Sequence, residues 1–449
     1  MRPSRYKQLV DQCALDIRSG KFPPGTQLPT HRAFASQEKI ALVTATRVYA
    51  ELTKMGLVSG EKGRGTFVKE TRLPPGHGMD QQAVPSDTLD LNFNSPLLDG
   101  QTDDLREALK QLAYSGDLES VLHYQPHVGR LHERQIFARH LSRRGLRVDA
   151  HQLLVTSGAQ HGLALACMAL LEPGDVVAVD ELIYPGFKTV AQANGLELVP
   201  FSSNETGPDL NALMKLCRTR RVKAVYTMPT LHNPLGWVLS QSDREMLVSI
   251  ARSYHLILIE DAAYAFHAAS APPPLASMAP ERTLYISGFS KSIATGLRVG
   301  FLTAPTCWIG KLERAIRATT WNTPALMTAL VARWVQDGTV SRLEEAKRAD
   351  ARARQEIAKK VFQEFHFIHH PNAYFLWLPL PPDARADRIT ANLLDGGISV
   401  STAQPFATTS HTPQALRIAL GSVKMSQLSD ALIVIRDQVE ADAYGLGAQ

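Results

Sequence analysis

Apolar residues near the start of the chain recur at helical spacing and are interrupted by turn residues. A first stripe predicts an amphipathic helix that ends at Gly20, because the Pro23-Pro24-Gly25 turn cannot continue it. Thr30 can cap a second helix over residues 31–38, and a third helix is predicted over residues 43–55. The first 55 residues are therefore expected to form three short helices.

A β-hairpin is predicted directly after the third helix. Residues 57–60 and 66–69 have the pattern of short strands, and they flank the basic, glycine-rich turn 61–65. Three helices followed by a basic hairpin are the layout of a winged helix, in which one helix enters the major groove of DNA. The wing contacts the DNA backbone or the minor groove. Residues 1–70 are therefore predicted to form a DNA-binding domain.

Beyond residue 90, short apolar runs alternate with longer helical stretches. The runs lie at 153–155, 176–179, 224–226 and 256–259. Buried strands separated by helices predict a parallel α/β sheet that is covered on both faces. Residues 71–90 are too poor in apolar side chains to pack a core, so they are predicted to be a linker. The chain is thus predicted to be multidomain, with the α/β domain over 91–449.

Charge is distributed unevenly along the chain. Residues 1–70 hold 12 Lys or Arg and 6 Asp or Glu, whereas the remainder holds 36 and 37. This basic excess favours a nucleic-acid-binding module, although a solvated basic surface would give the same numbers. The four cysteines have no metal-ligand spacing, and no apolar stretch approaches membrane-spanning length. We expect a soluble, cytoplasmic protein without a disulfide or a bound metal.

Candidate chemistry lies where the predicted strands end, which is where α/β sheets bind ligands. The first such end leads into Ser157-Gly158-Ala159-Gln160, small residues at a helix N-terminus that suit a phosphate. Later strand ends lead to Asn233, to Asp261 with Tyr264, and to Ser287-Gly288-Phe289-Ser290-Lys291 followed by Arg298. Taken singly, these residues have ordinary alternatives as turn formers, helix caps and surface charges. Together they form an ordered set.

Pyridoxal phosphate needs every member of this set. Its aldehyde requires an amine for an aldimine (Lys291), and its pyridine nitrogen requires a carboxylate (Asp261). The phenolic oxygen takes hydrogen-bond donors, which Asn233 and Tyr264 can supply. The phosphate takes an arginine and helix amides. These phosphate ligands would be Arg298 and the amides of Gly158, Ala159 and Gln160. The set therefore predicts a pyridoxal-phosphate site.

The amino-terminal motifs resemble the DNA-binding domain of the GntR family. The similar segments are FPPGTQLPTHRAFA (22–35), TATRVYAELTKMGLV (44–58) and GRGTFV (63–68). The resemblance implies contacts with double-stranded DNA from Arg32, Thr44, Arg47, Lys62, Arg64 and Gly65. Where the family commonly has Ser-Arg at the start of the recognition helix, this chain has Ala41-Leu42. A usual helix cap and a usual basic contact are therefore absent.

The second set of motifs resembles the fold-type I pyridoxal-phosphate enzymes of the aspartate aminotransferase superfamily. The resemblance implies a large subdomain with a mostly parallel sheet, over about 91–330, and a smaller C-terminal α+β subdomain over 331–449. It also implies that Tyr184, in IYPGF, stacks on the cofactor and that Tyr124, in YQPHVG, reaches the phosphate in the partner subunit. Arg417, in LRIAL, would bind the α-carboxylate of an amino acid.

The SGFSK motif departs from its relatives at one position. Similar proteins often carry a serine three residues before the lysine, where this chain has Gly288. A phosphate contact is therefore lost or moved to Ser287, with Ser290 on the other side as a further cofactor-binding candidate.

A GntR-like winged helix joined to an aminotransferase-like domain is similar to the MocR subfamily of bacterial transcriptional regulators. That resemblance implies a homodimer, often with each DNA-binding domain lying against the other subunit. The main hypothesis is a pyridoxal-phosphate-dependent regulator that senses an amino compound or the cofactor itself. One alternative is an active aminotransferase with an accessory DNA-binding domain. Another is a repressor whose large domain only dimerises, which intact Lys291, Asp261 and Arg298 argue against.

Overall fold

The structure is a computed structural model that describes residues 5–18, 21–61, 63–69, 88–114, 118–409 and 412–443. Most of the predicted linker lies outside these ranges, as does Lys62, one of the predicted DNA contacts.

The amino-terminal segment folds as three helices and a hairpin, as predicted. The elements are α1 (Arg5–Arg18), α2 (His31–Gln37), α3 (Leu42–Lys54), β1 (Val58–Glu61) and β2 (Gly65–Val68). The hydroxyl of Thr30 accepts a hydrogen bond from the backbone of Ala33 and so caps α2. Ala41, at the start of α3, supplies no such cap. Apolar side chains from all three helices and from β1 and β2 form a core of their own.

The rest of the chain forms a large α/β body and a smaller subdomain. Its elements are β3 (Leu89–Leu91), α4 (Gln101–Ala113), α5 (Leu131–Ser142), β4 (Leu153–Thr156), α6 (Ala159–Leu170), β5 (Val176–Asp180), α7 (Pro185–Ala193), β6 (Glu197–Phe201), α8 (Leu210–Thr219), β7 (Val222–Thr227), α9 (Gln241–Ser253), β8 (Ile257–Asp261), α10 (Leu275–Met278), β9 (Thr283–Gly288), β10 (Gly300–Thr303), α11 (Thr306–Thr319), α12 (Ala325–Gln336), α13 (Thr339–Val361), β11 (Ile368–His369), β12 (Phe375–Pro379), α14 (Ala386–Asp395), β13 (Ile398–Thr402), β14 (Ala415–Ala419) and α15 (Met425–Ala443).

The large body is built on a seven-stranded sheet with the order β4-β10-β9-β8-β7-β5-β6. β10 is antiparallel to both of its neighbours, and the remaining strand pairs are parallel. Separate apolar clusters cover the sheet, and β4, β5, β7 and β8 are almost wholly buried. The predicted mostly parallel α/β fold is confirmed, and the parallel strands that lead to the predicted site residues end on the same edge.

The smaller subdomain has a five-stranded sheet with the order β11-β12-β14-β13-β3. Its core also contains side chains from α13, α14 and α15. β3 begins at Leu89, directly after the undescribed residues 70–87, and pairs in parallel with β13. The chain therefore enters the smaller sheet before it builds the large body. No helix in the described ranges is long and apolar enough to cross a membrane.

Candidate cofactor and ligand site

A cavity of about 260 Å³ lies at the carboxyl ends of the parallel strands. Most of the residues that the sequence singled out for the cofactor and its ligand line it. They are Ala159, Gln160, Tyr184, Asn233, Asp261, Tyr264, Ser290, Lys291, Arg298 and Arg417. Their positions in the sequence span more than half the chain, so their convergence depends on the fold and not on local spacing.

Asp261 ends β8 and is fully buried beside the cavity. Its Oδ2 accepts a hydrogen bond of 2.9 Å from the hydroxyl of Tyr226, and its Oδ1 accepts one of 3.0 Å from the backbone of Ala263. Burial raises the pKa of Asp261 to about 6, and these two hydrogen bonds limit the rise because they stabilise the carboxylate. At neutral pH the group is therefore mainly ionised, as a partner for a protonated ring nitrogen must be.

Lys291 follows β9 and points its amine into the same cavity. Its Nζ donates a hydrogen bond of 3.1 Å to the backbone oxygen of Asn94 and lies 5.8 Å from the ring centroid of Tyr264. Across the cavity, Oδ1 of the buried Asn233 has no hydrogen-bond partner among the described residues. A bound group that donates a hydrogen bond would give this oxygen a partner.

The α6 end of the cavity combines backbone amides with a guanidinium group. Gly158, which precedes α6 with φ +87°, is not itself in the cavity lining, unlike Ala159 and Gln160. Arg298 adopts the left-handed conformation with φ +50°. A Cβ atom on Gly158 would lie 2.9 Å from Nη2 of Arg298, so glycine is needed to bring the backbone this close. Nη1 of Arg298 donates to the hydroxyl of Ser290 at 3.3 Å. Helix amides and an arginine at one place suit a phosphate group.

Two positions of the SGFSK motif differ from what the sequence suggested. Ser287 is buried outside the cavity lining, and its hydroxyl donates a hydrogen bond of 3.1 Å to the backbone oxygen of Ala262. The structure therefore does not bring Ser287 to the cavity. Gly288 does line it, but a Cβ there would lie 3.1 Å from the oxygen of Val299 and 3.2 Å from Cα of Gly300. A side chain at this position would clash with the backbone of β10, so close packing explains why a glycine stands here.

Arg417 lies on β14 of the smaller subdomain and is 4% exposed. One guanidinium nitrogen donates to the backbone oxygen of Asn92 at 2.8 Å, and the group lies 4.8 Å from the ring centroid of Phe375. Nε has no hydrogen-bond partner among the described residues. Burial lowers the pKa of the guanidinium, because the charge lacks the solvation it has in water. An anionic ligand group would compensate for that loss.

Sequence reasoning missed the segment 92–94, which lines the cavity beside Lys291 and Arg417. Neither polar atom of the Asn92 amide has a hydrogen-bond partner among the described residues, whereas Oδ1 of Asn94 accepts from Gly421. The sequence offered only two asparagines on either side of Phe93, just after the predicted linker. They belong to no motif that would have indicated a ligand site. Phe406 also lines the cavity and was missed for the same reason.

Tyr124 is not part of the cavity of its own chain. It is 87% exposed, and its ring centroid lies 5.6 Å from that of Trp321. Trp321 in turn contacts His127, whose Nδ1 is 2.7 Å from the tryptophan backbone oxygen. Tyr124 and Trp321 therefore form an exposed aromatic pair on the large body.

The described candidate DNA contacts lie on α2, on α3 and in the wing. Arg32 and Arg47 are exposed, and the guanidinium of Arg47 lies 4.4 Å from the ring centroid of Tyr6. Thr44 is half-buried on the first turn of α3, and Arg64 at the tip of the wing pairs with Glu61 at 3.1 Å. A Cβ on Gly65, which has φ +121°, would lie 2.8 Å from the Gln27 side chain. The need for glycine at position 65 is therefore also structural.

The fold and the cavity define a class of protein, a winged-helix DNA-binding domain joined to a fold-type I aminotransferase body. Residues 86–435 match the family model for aminotransferase class I and II, and the chain belongs to that family. Residues 5–68 match the model for bacterial regulatory proteins of the gntR family. The assignment to the MocR subfamily, which combines these two domains, is confirmed.

The chain is similar to curated transcription regulators over most of its length. The chain is 27% identical to the HTH-type transcriptional regulator YdeF of Bacillus subtilis over 436 residues, which cover 96% of this chain and 93% of YdeF. It is 28% identical to the HTH-type transcriptional regulator TauR of Rhodobacter capsulatus, covering 80% and 79%. The fold is similar to that of LysN, an α-aminoadipate aminotransferase from Thermus thermophilus solved with a phosphopyridoxyl-leucine compound. That match has a TM-score of 0.73 and 22% identity, covering 80% of this chain and 94% of LysN.

The prediction of pyridoxal 5′-phosphate as the cofactor is confirmed at the level of the family. The residues present also fit it. The cavity offers an amine (Lys291), a buried carboxylate (Asp261) and a guanidinium (Arg298), and beside it Gly158 leaves a space next to Arg298 that a Cβ would fill. The roles of the individual residues remain predictions.

Proposed function

We propose that this protein is a pyridoxal-phosphate-dependent transcription regulator that acts in the cytoplasm. Its large body senses an amino compound, or the cofactor itself, and its winged helix binds operator DNA. The observation that carries the proposal is the convergence of Lys291, Asp261 and Arg417 on one cavity, in a chain whose amino terminus is a winged helix.

Each group in the cavity has a role in this proposal. When bound, pyridoxal phosphate supplies an aldehyde that condenses with primary amines and a ring that withdraws electrons. Lys291 would hold the cofactor through its amine, Asp261 would keep the ring nitrogen protonated, and Arg298 would neutralise the phosphate. Arg417 lies where it can orient the carboxylate of an amino acid, because its buried guanidinium already faces the cavity.

An incoming amine would compete with the amine of Lys291 for the cofactor aldehyde. The carboxylate of such a ligand would pair with Arg417 in the smaller subdomain. A ligand changes DNA binding only if it favours one arrangement of the domains over another. The position of Arg417 in a different subdomain from Lys291 supports such a preference, since both line one cavity and a ligand that fills it would contact both.

The first test is the visible absorption of the full-length protein with pyridoxal phosphate. Protein amino acids and 2-aminoadipate are added one at a time, with and without a keto-acid acceptor, and DNA binding is measured in parallel. A band that shifts with one compound, without sustained keto-acid formation and with a change in DNA affinity, supports the regulator. If DNA affinity is unchanged by the cofactor and by every compound, the sensing proposal is wrong.

Lys291→Ala should abolish the lysine-bound absorption band and the response of DNA binding, while basal DNA binding remains. Lys311→Ala is the matched control, because Lys311 is an exposed lysine on α11 of the same body. If Lys291→Ala keeps an unaltered response, the cofactor plays no part in regulation.

The second candidate function is an active aminotransferase with an accessory DNA-binding domain. Arg417 favours it, because an arginine for the α-carboxylate is what transamination of amino acids requires. Continuous keto-acid production in the same assay would place this function first.

The protein is also proposed to be a homodimer in which Tyr124 of each subunit reaches the partner's cavity. Its exposure and its absence from the cavity of its own chain support this arrangement.

A further inference from the structure

The base of the wing is docked on the smaller subdomain through a buried ion pair. Glu61 at the end of β1 and Arg385 just before α14 form the pair, and each residue is only 4% exposed. The guanidinium of Arg385 also lies 4.7 Å from the ring centroid of Phe67 on β2. Burial raises the pKa of Glu61, and the two neighbouring arginines, Arg64 and Arg385, oppose that rise. Two charges have therefore been taken out of water at the contact between the domains.

A second set of contacts joins the wing to the chain just before β14. The backbone amide of Thr412 donates to the oxygen of Gly60 at 2.8 Å. The Gln414 side chain donates to Glu61 at 3.3 Å, and Gln414 also accepts from the amide of Ala386 at the start of α14. Glu61 thus receives hydrogen bonds from two separate parts of the smaller subdomain.

Residues on either side of Thr412 and Gln414 in the sequence line the ligand cavity. Phe406 lines the cavity and is tied to the large body, because its oxygen accepts from the amide of Ile183 at 2.9 Å. Arg417, three residues after Gln414, is the candidate carboxylate ligand on β14. Arg417 is thus joined through the described residues 415 and 416 to Gln414, whose side chain contacts Glu61.

We propose that the Glu61–Arg385 pair couples occupancy of the cavity to the orientation of the wing, and hence to DNA affinity. The inference rests on the proposed sensing function and names the contact through which it acts. The wing has a docked arrangement, in which Glu61 is held by Arg385 and Gln414, and a released one. A ligand that repositions Arg417 shifts the balance between them.

The position of Arg64 links this pair directly to the DNA-binding surface. Arg64, a candidate DNA contact at the tip of the wing, pairs with Oε2 of Glu61, while Arg385 contacts Oε1. One carboxylate is thus shared by a DNA-contact candidate and an anchor on the smaller subdomain. Release of Arg385 leaves Glu61 to Arg64 alone, so the charge that the wing presents to DNA depends on docking. Stability alone is a weak reason for such a pair, because desolvation offsets much of its attraction.

The test uses full-length Glu61→Gln and Arg385→Gln, which remove the charges and preserve side-chain size. Arg252→Gln is the matched control, because it breaks an exposed ion pair with Glu281 on the large body. DNA affinity is measured on duplexes enriched from a random pool, without additions, with pyridoxal phosphate, and with pyridoxal phosphate plus each amino acid of the panel. Hydrogen exchange at 58–61 and 412–414 reports docking independently of DNA and ligand.

In the wild type we expect at least one addition to change DNA affinity about fivefold or more, a usual size for allosteric coupling. In Glu61→Gln and Arg385→Gln, the ratio of DNA affinity with the addition to DNA affinity without it should fall to within about twofold of 1. Hydrogen exchange at 58–61 and 412–414 should be faster, and the cofactor absorption band should be unaltered. The control should keep the wild-type ratio. Reciprocity requires that enriched DNA change the affinity for the added compound by the same factor in the wild type, and that this effect vanish in both variants.

The outcomes separate this inference from the function on which it rests. If both variants retain the wild-type ratio, the pair does not transmit the signal, and the inference is overturned while the sensing function stands. The inference is likewise overturned if exchange at 58–61 and 412–414 is unchanged in both variants, since docking then does not depend on the pair. A wild type without any response overturns the sensing function and the inference together.

Discussion

The hydroxyl of Tyr226 donates a hydrogen bond of 2.9 Å to Oδ2 of Asp261, and both side chains are fully buried. Tyr226 is held in place by stacking on Phe187, with ring centroids 3.8 Å apart. Because a phenol donates to the ionised carboxylate, this contact lowers the pKa of Asp261 against the effect of burial.

Tyr226→Phe should therefore raise the pKa of Asp261 above its value of about 6. A carboxylate is needed to pair with the protonated ring nitrogen, so cofactor affinity should fall as pH falls through that pKa. In the variant the fall should begin about one pH unit higher, which corresponds to roughly 1.4 kcal/mol. The measurement is the dissociation constant of pyridoxal phosphate from pH 5 to about pH 8 by absorption, a window set by the Asp261 pKa.

Tyr285→Phe is the control for this experiment. Tyr285 is buried on β9 opposite Glu260, so it faces the other side of the sheet from Asp261. Its pH profile should match the wild type, which also accounts for titration of the cofactor phosphate. Identical profiles for Tyr226→Phe and the wild type would show that the hydrogen bond does not tune Asp261.

Gly158→Ala should weaken cofactor binding because a Cβ there would lie 2.9 Å from Arg298 at the proposed phosphate position. Gly174→Ala is a close control, since Gly174 has nearly the same φ, +89° against +87°, with nothing within 4 Å of an added Cβ. Both variants should lose about 1 to 3 kcal/mol of stability from backbone strain, since Gly158, with ψ 168°, lies in a region that is almost exclusive to glycine. Only Gly158→Ala should also lose cofactor affinity, by about tenfold, or roughly 1.4 kcal/mol. Equal affinities in the two variants would remove Gly158 from the phosphate site.

The strand-end residues of the cavity were predictable because parallel strands align their carboxyl ends, so local pattern and topology place Asp261 and Lys291 at one edge. The winged helix was predictable for a similar reason, since its helices and hairpin are formed by neighbours in sequence. Asn92 and Phe406 were not predictable in this way. They reach the cavity from the smaller sheet, whose parallel pairing of β3 with β13 joins segments about 300 residues apart.

The contact between Glu61 and Arg385 lay beyond sequence reasoning as well. The two residues are 324 positions apart, and each looks like an ordinary surface charge in its own segment. Charge pattern alone predicts solvation for both, whereas the structure buries them against each other.

Arg244→Met should destabilise the large body. The fully buried guanidinium of Arg244 donates to the oxygens of Leu239, Pro273 and Pro229 and to the hydroxyl of Thr230, and so holds the segment that carries Asn233. Its loss leaves buried acceptors without donors, at a cost of about 3 kcal/mol. Urea unfolding measures the difference, and Arg252→Met at an exposed position should stay within about 0.5 kcal/mol of the wild type. A similar loss of unfolding free energy in both variants would show that the buried hydrogen bonds of Arg244 stabilise the body no more than an exposed arginine does.

Arg47→Ala should weaken DNA binding on every duplex. Arg47 is exposed on α3 and supported by the Tyr6 ring. If it neutralises one phosphate, the slope of log affinity against log salt should become shallower by about 0.9. Lys110→Ala, which removes an exposed charge from α4 of the large body, should leave the slope unchanged. An unchanged slope in Arg47→Ala would exclude a phosphate contact, and a loss confined to some sequences would indicate a base contact instead.

Tyr124→Ala should lower cofactor affinity although Tyr124 lines no part of its own chain's cavity. The proposed reason is that Tyr124 acts in the partner's cavity, so its loss affects the neighbouring subunit. Mixed dimers distinguish this effect from a local one. In the first mixed dimer, one subunit carries Lys291→Ala with Tyr124 intact, and the other carries Tyr124→Ala with Lys291 intact. This dimer has one complete site, formed by Lys291 of one chain and Tyr124 of the other.

The mixed dimer should therefore bind cofactor with wild-type affinity at half the wild-type amount. A chain that carries both Tyr124→Ala and Lys291→Ala, paired with the wild type, has its one lysine-bearing site next to a subunit without Tyr124. That site should have the low affinity of Tyr124→Ala. Trp321→Phe serves as a packing control, because it alters the ring beside Tyr124 but keeps the phenol. If the order is reversed, with low affinity in the first mixture and wild-type affinity in the second, Tyr124 acts within its own chain, and the shared site is refuted. Equal affinities in the two mixtures would also refute it.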